Sequence, residues 1–209
     1  MTSVVAYAEP GYAFVGADTR RRPSFMDLPT IKVHTWGENV VFSQSGNANH
    51  LSQCIGIMMA FRGTLFDTDI WGFKAAFSQY QPVYQRHAQE SEKISSHVSV
   101  NGTLLAADAQ TGTIISCDFA TGAISTIPAP AFCGDPLTRI HMNTAWGSGR
   151  KDLAHWACES ISPLCSAKGS VDWPIDILIS RPYLHNYQTV IGSRLQNTPP
   201  SPFPLFEIP

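Results

Sequence analysis

The sequence predicts an α+β fold in four layers, αββα, with two antiparallel sheets packed together and helices on their outer faces. Short β-prone runs with turn signals open the chain and return later, two helical stretches lie between them, and the regular strand–helix alternation of a parallel sheet is missing. The 209 residues suffice for one domain with a sizeable core. We place this domain at residues 1–197, and an extended tail at 198–209, which holds five prolines.

The first part of the chain predicts four strands. Residues 2–8 and 12–17 are β-prone, and Glu9-Pro10-Gly11 between them is a turn signal, so together they predict an N-terminal hairpin. After a loop that contains arginines and prolines, residues 31–36 and 40–43 predict a third and a fourth strand.

Helical spacing begins at about Asn47. A first helix is predicted there by apolar residues three or four apart, namely Leu51, Cys54, Ile55, Met58 and Met59. A second helix is predicted over residues 69–92, where Pro82 would kink or break it.

The second half predicts more strands around a third helix. Residues 98–107, 113–119 and 123–127 form strands separated by two Thr-Gly turns, and a loop with Pro128, Pro130 and Pro136 follows. Gly147-Ser148-Gly149 opens a third helix at 151–159, and a truncated fourth extends to about residue 168. The last predicted strands are 175–180 and 189–195.

Composition limits the classes of partner. Fourteen Lys and Arg stand against 16 Asp and Glu, so we expect neither a nucleic-acid nor an anionic-membrane partner. No run of 18 apolar residues could span a membrane, and the N-terminus lacks the pattern of a signal peptide. The five scattered cysteines are typical of reduced thiols, which predicts a cytoplasmic protein. The spacing of His and Cys predicts no metal site, and we expect no cofactor.

The residue with the most distinctive chemistry is Thr2. If Met1 is removed, Thr2 becomes the N-terminal residue, and its α-amine, with a pKa of about 8, can accept the proton of its own hydroxyl. That proton transfer turns the hydroxyl into a nucleophile. The alternative is an ordinary second residue, because retention of Met1 ties the nitrogen of Thr2 into a peptide bond.

The residues that follow resemble a proteasome β-type subunit, a family of N-terminal-nucleophile hydrolases. The resemblance rests on a Thr-led strand, a turn, a second strand and then Ala17-Asp18-Thr19-Arg20. Thr30-Ile31-Lys32-Val33 matches the segment with the family's lysine, and Ser45-Gly46-Asn47-Ala48 matches its oxyanion glycine. Compared with the family, both segments lie two residues nearer to Thr2, because the loop that precedes them is two residues shorter. Gly147-Ser148-Gly149 matches the Gly-Ser-Gly that precedes the family's third helix.

The resemblance implies a catalytic role for five residues. Thr2 would attack a peptide carbonyl, and Lys32, held by Asp18, would place a positive charge beside it. The main-chain N–H of Gly46 would face the developing oxyanion, and Ser148 would form a hydrogen bond near the Thr2 amine. Taken singly, Lys32 also fits an edge-strand lysine, Asp18 a turn residue and Ser148 a helix N-cap.

The resemblance also implies where a substrate would bind. An extended peptide would pair with the main chain at Arg22, Gly46 and Ala48, as an added strand. The pocket for a substrate side chain would be lined by Arg21, Thr30, His34, Gln44, Ala48 and Ser52.

The function implied is a threonine peptidase enclosed in stacked rings of identical subunits, six or seven to a ring. It would act on unfolded polypeptides or peptides, with an AAA+ unfoldase as a partner. Two alternatives stay open: a ring whose site is weak or silent, and an amidohydrolase for a small amide. The chain departs from the family in a shortened last helix, a proline-rich tail and the lack of Asp-x-x-Ser-Gly-Gly, for which Ser170 and Asp172 are candidate replacements.

Overall fold

A computed structural model describes residues 2–18, 32–46, 48–94, 100–147, 152–165, 175–181, 184–191 and 194–196. The strands in these ranges are β1 (Ser3–Glu9), β2 (Tyr12–Asp18), β3 (Val33–Thr35), β4 (Val40–Gly46), β5 (Gly102–Asp108), β6 (Thr113–Asp118), β7 (Ile124–Ile127), β8 (Ala131–Gly134), β9 (Ile175–Arg181), β10 (Leu184–Ile191) and β11 (Arg194–Gln196). The helices are α1 (Ala48–Ala60), α2 (Ile70–Ile94), α3 (Leu137–Gly147) and α4 (Leu153–Ile161).

The strands form two antiparallel sheets. The first sheet has the order β11-β10-β9-β2-β1-β8, so both strands of the N-terminal hairpin have neighbours on each side. The second has the order β3-β4-β5-β6-β7, with β3 at one edge. The predicted hairpin is confirmed, and it closes through Gly11, whose φ of +87° favours glycine.

Three apolar clusters hold the layers together. Between the sheets, Val4 and Val15 of the first pack with Val41 and Leu105 of the second. On the outer face of the second sheet, α1 and α2 cover a cluster that includes Phe42. On the outer face of the first sheet, residues of α3 and α4 cover a third cluster, with Phe14, Met142, Leu153 and Trp156 among its members. The predicted αββα sandwich is therefore confirmed.

The predicted loop after residue 127 is wrong in its second part, where the chain forms β8 and α3. Pro136 does not prevent a helix there, because it directly precedes the first residue of α3. A proline is tolerated at a helix start, where its missing N–H has no intrahelical acceptor. Asp135 caps this helix by accepting a hydrogen bond from Leu137 N on Oδ1, at 3.0 Å.

Other elements differ less from the prediction. The helix α2 runs through Pro82 without a break, and its buried Gln81 donates from Nε2 to Phe119 O at 2.7 Å. The helix predicted at 151–159 is observed as α4, and of the predicted truncated fourth helix only a 3₁₀ turn at Ser162–Leu164 forms in the described residues. The last predicted strand is divided between β10 and β11, and the predicted tail lies outside the described residues. No helix in the described ranges is both long and apolar enough to cross a membrane.

Candidate active site

Thr2, Asp18 and Lys32 meet at one end of the sandwich. Thr2 directly precedes β1 and Asp18 ends β2, so the antiparallel pairing of these strands brings the two to the same edge of the first sheet. Lys32 directly precedes β3 and comes from the second sheet. Its Nζ donates a hydrogen bond to Thr2 Oγ1 at 3.0 Å and lies 3.3 Å from Asp18 Oδ2. The structure thus brings together three residues that are up to 30 positions apart in the sequence.

The charges of this site are buried as a pair. The Asp18 side chain is 0% exposed and that of Lys32 is 7% exposed. A buried charge is tolerated when it is paired and its remaining lone pairs are used, and Asp18 Oδ1 also accepts a hydrogen bond from Ser3 N at 2.7 Å. Asp18 therefore holds the Lys32 ammonium beside Thr2. An ammonium donating to the threonine oxygen stabilises negative charge on that oxygen, as a nucleophile requires.

The main-chain carbonyl of Thr2 is also held in place. Ser45 Oγ donates to Thr2 O at 2.9 Å, and Asp135 N lies 3.2 Å from the same oxygen as a second donor. Next to Thr2, Thr138 Oγ1 donates to Ser3 Oγ at 2.9 Å, in a fully buried contact. These contacts come from β4, from the turn after β8 and from α3. Both sheets and a helix therefore fix the start of β1.

Gly46 follows Ser45, is the last residue of β4 and is exposed. Its φ is +120°, and a Cβ at this position would lie 2.5 Å from both Asn101 O and Gly102 Cα. Only glycine fits such a conformation and so close an approach of backbone. The predicted oxyanion residue therefore stands one position after a residue that contacts Thr2.

Three of the six predicted pocket residues have described side chains. His34 lies on β3, Gln44 on β4 and Ser52 on α1, and Gln44 Nε2 donates to Ser52 Oγ at 3.3 Å. Burial lowers the pKa of His34 to about 4, so this imidazole is neutral at pH 7. Gln44 Oε1 on β4 and His50 Nδ1 on α1 are buried without a hydrogen-bond partner.

The remaining predicted site residues cannot be placed. Arg21, Arg22, Thr30, Ser148, Ser170 and Asp172 lie outside the described residues, and only the main chain of Ala48 is described, at the start of α1. The helix predicted after the Gly-Ser-Gly segment is present as α4, but it is the fourth helix and not the third, because the unpredicted α3 ends at Gly147. The segment before the third helix is instead Gly134-Asp135-Pro136. The role of Ser148 stays a prediction.

Four further residues at this end were missed or left unassigned by the sequence reasoning: Ser45, Asp135, Thr138 and Asp176. The first three contact Thr2 or Ser3, as described above. Asp176 is the second residue of β9, is 3% exposed and pairs across the strands with Ala17. In the sequence, Asp176 stands between two isoleucines of a predicted buried strand. This could have drawn attention to it, since charged residues are rarely buried without a partner.

Four of the five cysteines are held in the unreactive thiol form by burial. Burial raises the pKa of Cys54 and Cys117 to about 12 and that of Cys158 to about 11, and it also raises the pKa of Cys133. These thiols stay protonated at neutral pH, while the thiolate is the reactive form. Among the described residues, no three His, Cys, Asp or Glu side chains come together to hold a metal ion.

Comparisons with known proteins support the fold. No protein-family model and no curated protein sequence matches the chain. A mutant of Anbu from Hyphomicrobium sp. strain MC1 matches with a TM-score of 0.63 at 14% identity, over 92% of this chain and 88% of that one. Anbu from Yersinia bercovieri, described as an ancestral β-subunit, matches with a TM-score of 0.62 at 13% identity, over 88% of this chain and 86% of that one. At such identities the likeness shows the fold alone, and this chain shares the αββα fold of the Anbu structures.

Proposed function

We propose that the protein is a threonine peptidase whose nucleophile is Thr2, made N-terminal by removal of Met1. The observation that carries the proposal is the buried Lys32 ammonium, which is paired with Asp18 and donates to Thr2 Oγ1 at 3.0 Å. A buried lysine directed at a hydroxyl has little structural benefit unless that oxygen acquires negative charge.

The proposed reaction uses the α-amine and hydroxyl of Thr2, Lys32 and Gly46. The freed α-amine of Thr2 takes the hydroxyl proton, Oγ1 attacks the substrate carbonyl, and the Gly46 N–H donates to the oxyanion. Collapse of this intermediate breaks the C–N bond, and the leaving amine takes the proton from the Thr2 amine. Water, deprotonated by the same amine, then hydrolyses the ester and restores Oγ1–H. Lys32 stays protonated throughout and stabilises Oγ1 as it loses and regains its proton.

The substrate would be an extended peptide that pairs with main chain at Arg22, Gly46 and Ala48. His34, Gln44 and Ser52 would lie beside the substrate side chain. The neutral His34 offers no positive charge that would attract an acidic side chain of the substrate.

We further propose stacked rings of identical subunits, six or seven to a ring, in the cytoplasm, with an AAA+ unfoldase delivering unfolded chains. The description of one Anbu structure as an ancestral β-subunit supports this assembly. Light scattering should report a multiple of the 22.9 kDa chain at micromolar concentration, whereas a monomer would contradict the ring.

Covalent labelling tests the nucleophile. Intact mass spectrometry first establishes whether Met1 is absent, and the protein is then treated with a peptide epoxyketone, which needs both the hydroxyl and the free amine of an N-terminal threonine. We expect one adduct on Thr2, none in Thr2→Ala, and an adduct in the Thr111→Ala control, in which an exposed turn hydroxyl is removed instead.

The same experiment separates the alternatives. A processed chain that remains unlabelled would favour the ring with a silent site. Labelling of Thr2 by a β-lactone without any cleavage of peptides, but with hydrolysis of a small amide, would favour the amidohydrolase. An adduct that persists in Thr2→Ala would show that another residue is the nucleophile.

A further inference from the structure

We infer that Ser45 is a positioning residue for Thr2, an inference that rests on the proposed function. Ser45 Oγ donates to the main-chain oxygen of Thr2 at 2.9 Å, and Ser45 is 4% exposed. The two residues belong to different sheets, so this hydrogen bond joins the sheets at the site itself. Ser45 acts through the Thr2 carbonyl and does not touch Oγ1 in any contact of the structure.

A second donor lies within hydrogen-bond range of the same oxygen. Asp135 N lies 3.2 Å from Thr2 O, directly after Gly134 at the end of β8. Gly134 has a φ of +102°, and a Cβ there would lie 1.6 Å from Thr2 O and 2.7 Å from Ser45 Oγ. Glycine at this position is therefore a condition for the two donors to converge. Ser45 Oγ and Asp135 N are together called the carbonyl clamp below.

An N-terminal nucleophile needs such a clamp more than an internal residue does. Once Met1 is removed, no peptide bond precedes Thr2, and the orientation of Thr2 depends on its carbonyl and on the residue that follows. The N–H of Ser3 donates a hydrogen bond to Asp18 Oδ1, and the carbonyl clamp holds the Thr2 oxygen. Together these contacts fix the plane of the peptide bond between Thr2 and Ser3. Rotation of that plane would carry Oγ1 away from Lys32, and small displacements of a reacting atom reduce rates strongly.

The chain contains a matched control for Ser45. Ser43 is also on β4, two residues earlier, so its side chain points to the same face of the sheet. Ser43 is 0% exposed and, like Ser45, is enclosed between the sheets. Its hydroxyl has no hydrogen-bond partner. Ser43→Ala and Ser45→Ala thus remove the same atom from the same strand face, and only the second removes a hydrogen bond to Thr2.

The test compares the rate of epoxyketone labelling in the two variants of the full-length, processed protein. Loss of one hydrogen bond that orients the nucleophile should slow labelling of Ser45→Ala about tenfold, while Ser43→Ala keeps the wild-type rate. The pH of half-maximal labelling should also rise in Ser45→Ala, because the Lys32 ammonium no longer faces Oγ1 steadily. A purely structural role would lower the melting temperature and leave that pH unchanged. Equal labelling rates in the two variants would overturn the inference.

If no form of the protein is labelled, the proposed nucleophile is refuted, but the inference about Ser45 is not. A crystal structure of each variant then decides that inference. We expect the Lys32 Nζ to Thr2 Oγ1 distance to stay near 3.0 Å in Ser43→Ala. In Ser45→Ala that contact should be lengthened beyond hydrogen-bond range or split between conformers. An unchanged, singly occupied contact in Ser45→Ala would show that the carbonyl clamp does not position Thr2.

Discussion

The two ends of the sandwich are organised in opposite ways. At the Thr2 end, the charged side chains of Asp18 and Lys32 are buried and paired, and hydrogen bonds hold the main chain of Thr2 and Ser3. At the other end, the first hairpin turns and an open polar cleft of about 620 Å³ lies beside it. The cleft is lined by Thr35, Gly37, Glu38, Asn39, Arg62, Asp67, Thr68, Asp69 and Gln110.

This difference shows why cavity size is a poor guide to the chemistry of this molecule. The acids Glu38 and Asp67 of the cleft are exposed, so water screens them and they are free to reorient. Asp18 and Lys32 are desolvated and held in one geometry, which strengthens their effect on a neighbouring hydroxyl. The predictions below compare one substitution at the Thr2 end with one at the cleft end wherever the chain offers a pair.

The largest effect is expected for the buried aspartate. Asp18→Ala leaves the Lys32 ammonium buried without its partner and should lower the free energy of unfolding by about 3–5 kcal/mol. Asp67→Ala removes an exposed carboxylate and should change it by less than about 0.5 kcal/mol. Urea denaturation followed by circular dichroism measures both. Equal losses would mean that the ends do not differ in the way described.

A smaller effect is expected for two glycines with positive φ. Gly134→Ala places a methyl group against Thr2 O and should destabilise the protein by about 3 kcal/mol, from a strained backbone and a steric clash. Gly11→Ala shares the strain, but no atom lies within 4 Å of the new Cβ, so we expect about 1 kcal/mol. The same denaturation assay applies, and a loss in Gly11→Ala as large as that in Gly134→Ala would contradict the close approach at Thr2.

A pH-dependent effect is expected from His34, two residues after Lys32. Its pKa falls from 6.5 to about 4 by burial, so between these pH values the unfolded chain binds a proton that the folded chain does not. The free energy of unfolding therefore decreases as the pH falls from about 6.5 to about 4. In His34→Gln this decrease should be smaller by about 2 kcal/mol. Melting curves at several pH values measure it, and parallel curves for wild type and variant would refute it.

Much of the Thr2 end could be predicted from the sequence because its signals are local. A β-prone run, a Glu-Pro-Gly turn and a second run specify the first hairpin, and antiparallel pairing then places Thr2 and Asp18 at one edge. Lys32 was found through the resemblance, since no local rule directs an edge-strand lysine towards a residue 30 positions away.

The contacts that hold Thr2 could not be predicted in the same way. Ser45 and Asp135 meet Thr2 through the packing of two sheets, over separations of 43 and 133 residues, and neither carries a local signal for that contact. The prolines around residue 130 suggested a loop, although a proline also fits before a short strand and at the start of a helix. The helix α3 and the turn that contacts Thr2 were therefore missed together.

The most direct test of the account compares two cations, Lys32 at the Thr2 end and Arg62 in the cleft. Arg62 is partly buried and donates from a guanidinium nitrogen to Thr35 O at 2.7 Å, but it faces no nucleophile. The rate of epoxyketone labelling at Thr2 should fall about a hundredfold or more in Lys32→Ala, because the charge that stabilises Oγ1 is lost. In Arg62→Ala the rate should be essentially that of the wild type. If Lys32→Ala is labelled as fast as Arg62→Ala, the buried lysine does not activate Thr2 and the central claim is wrong.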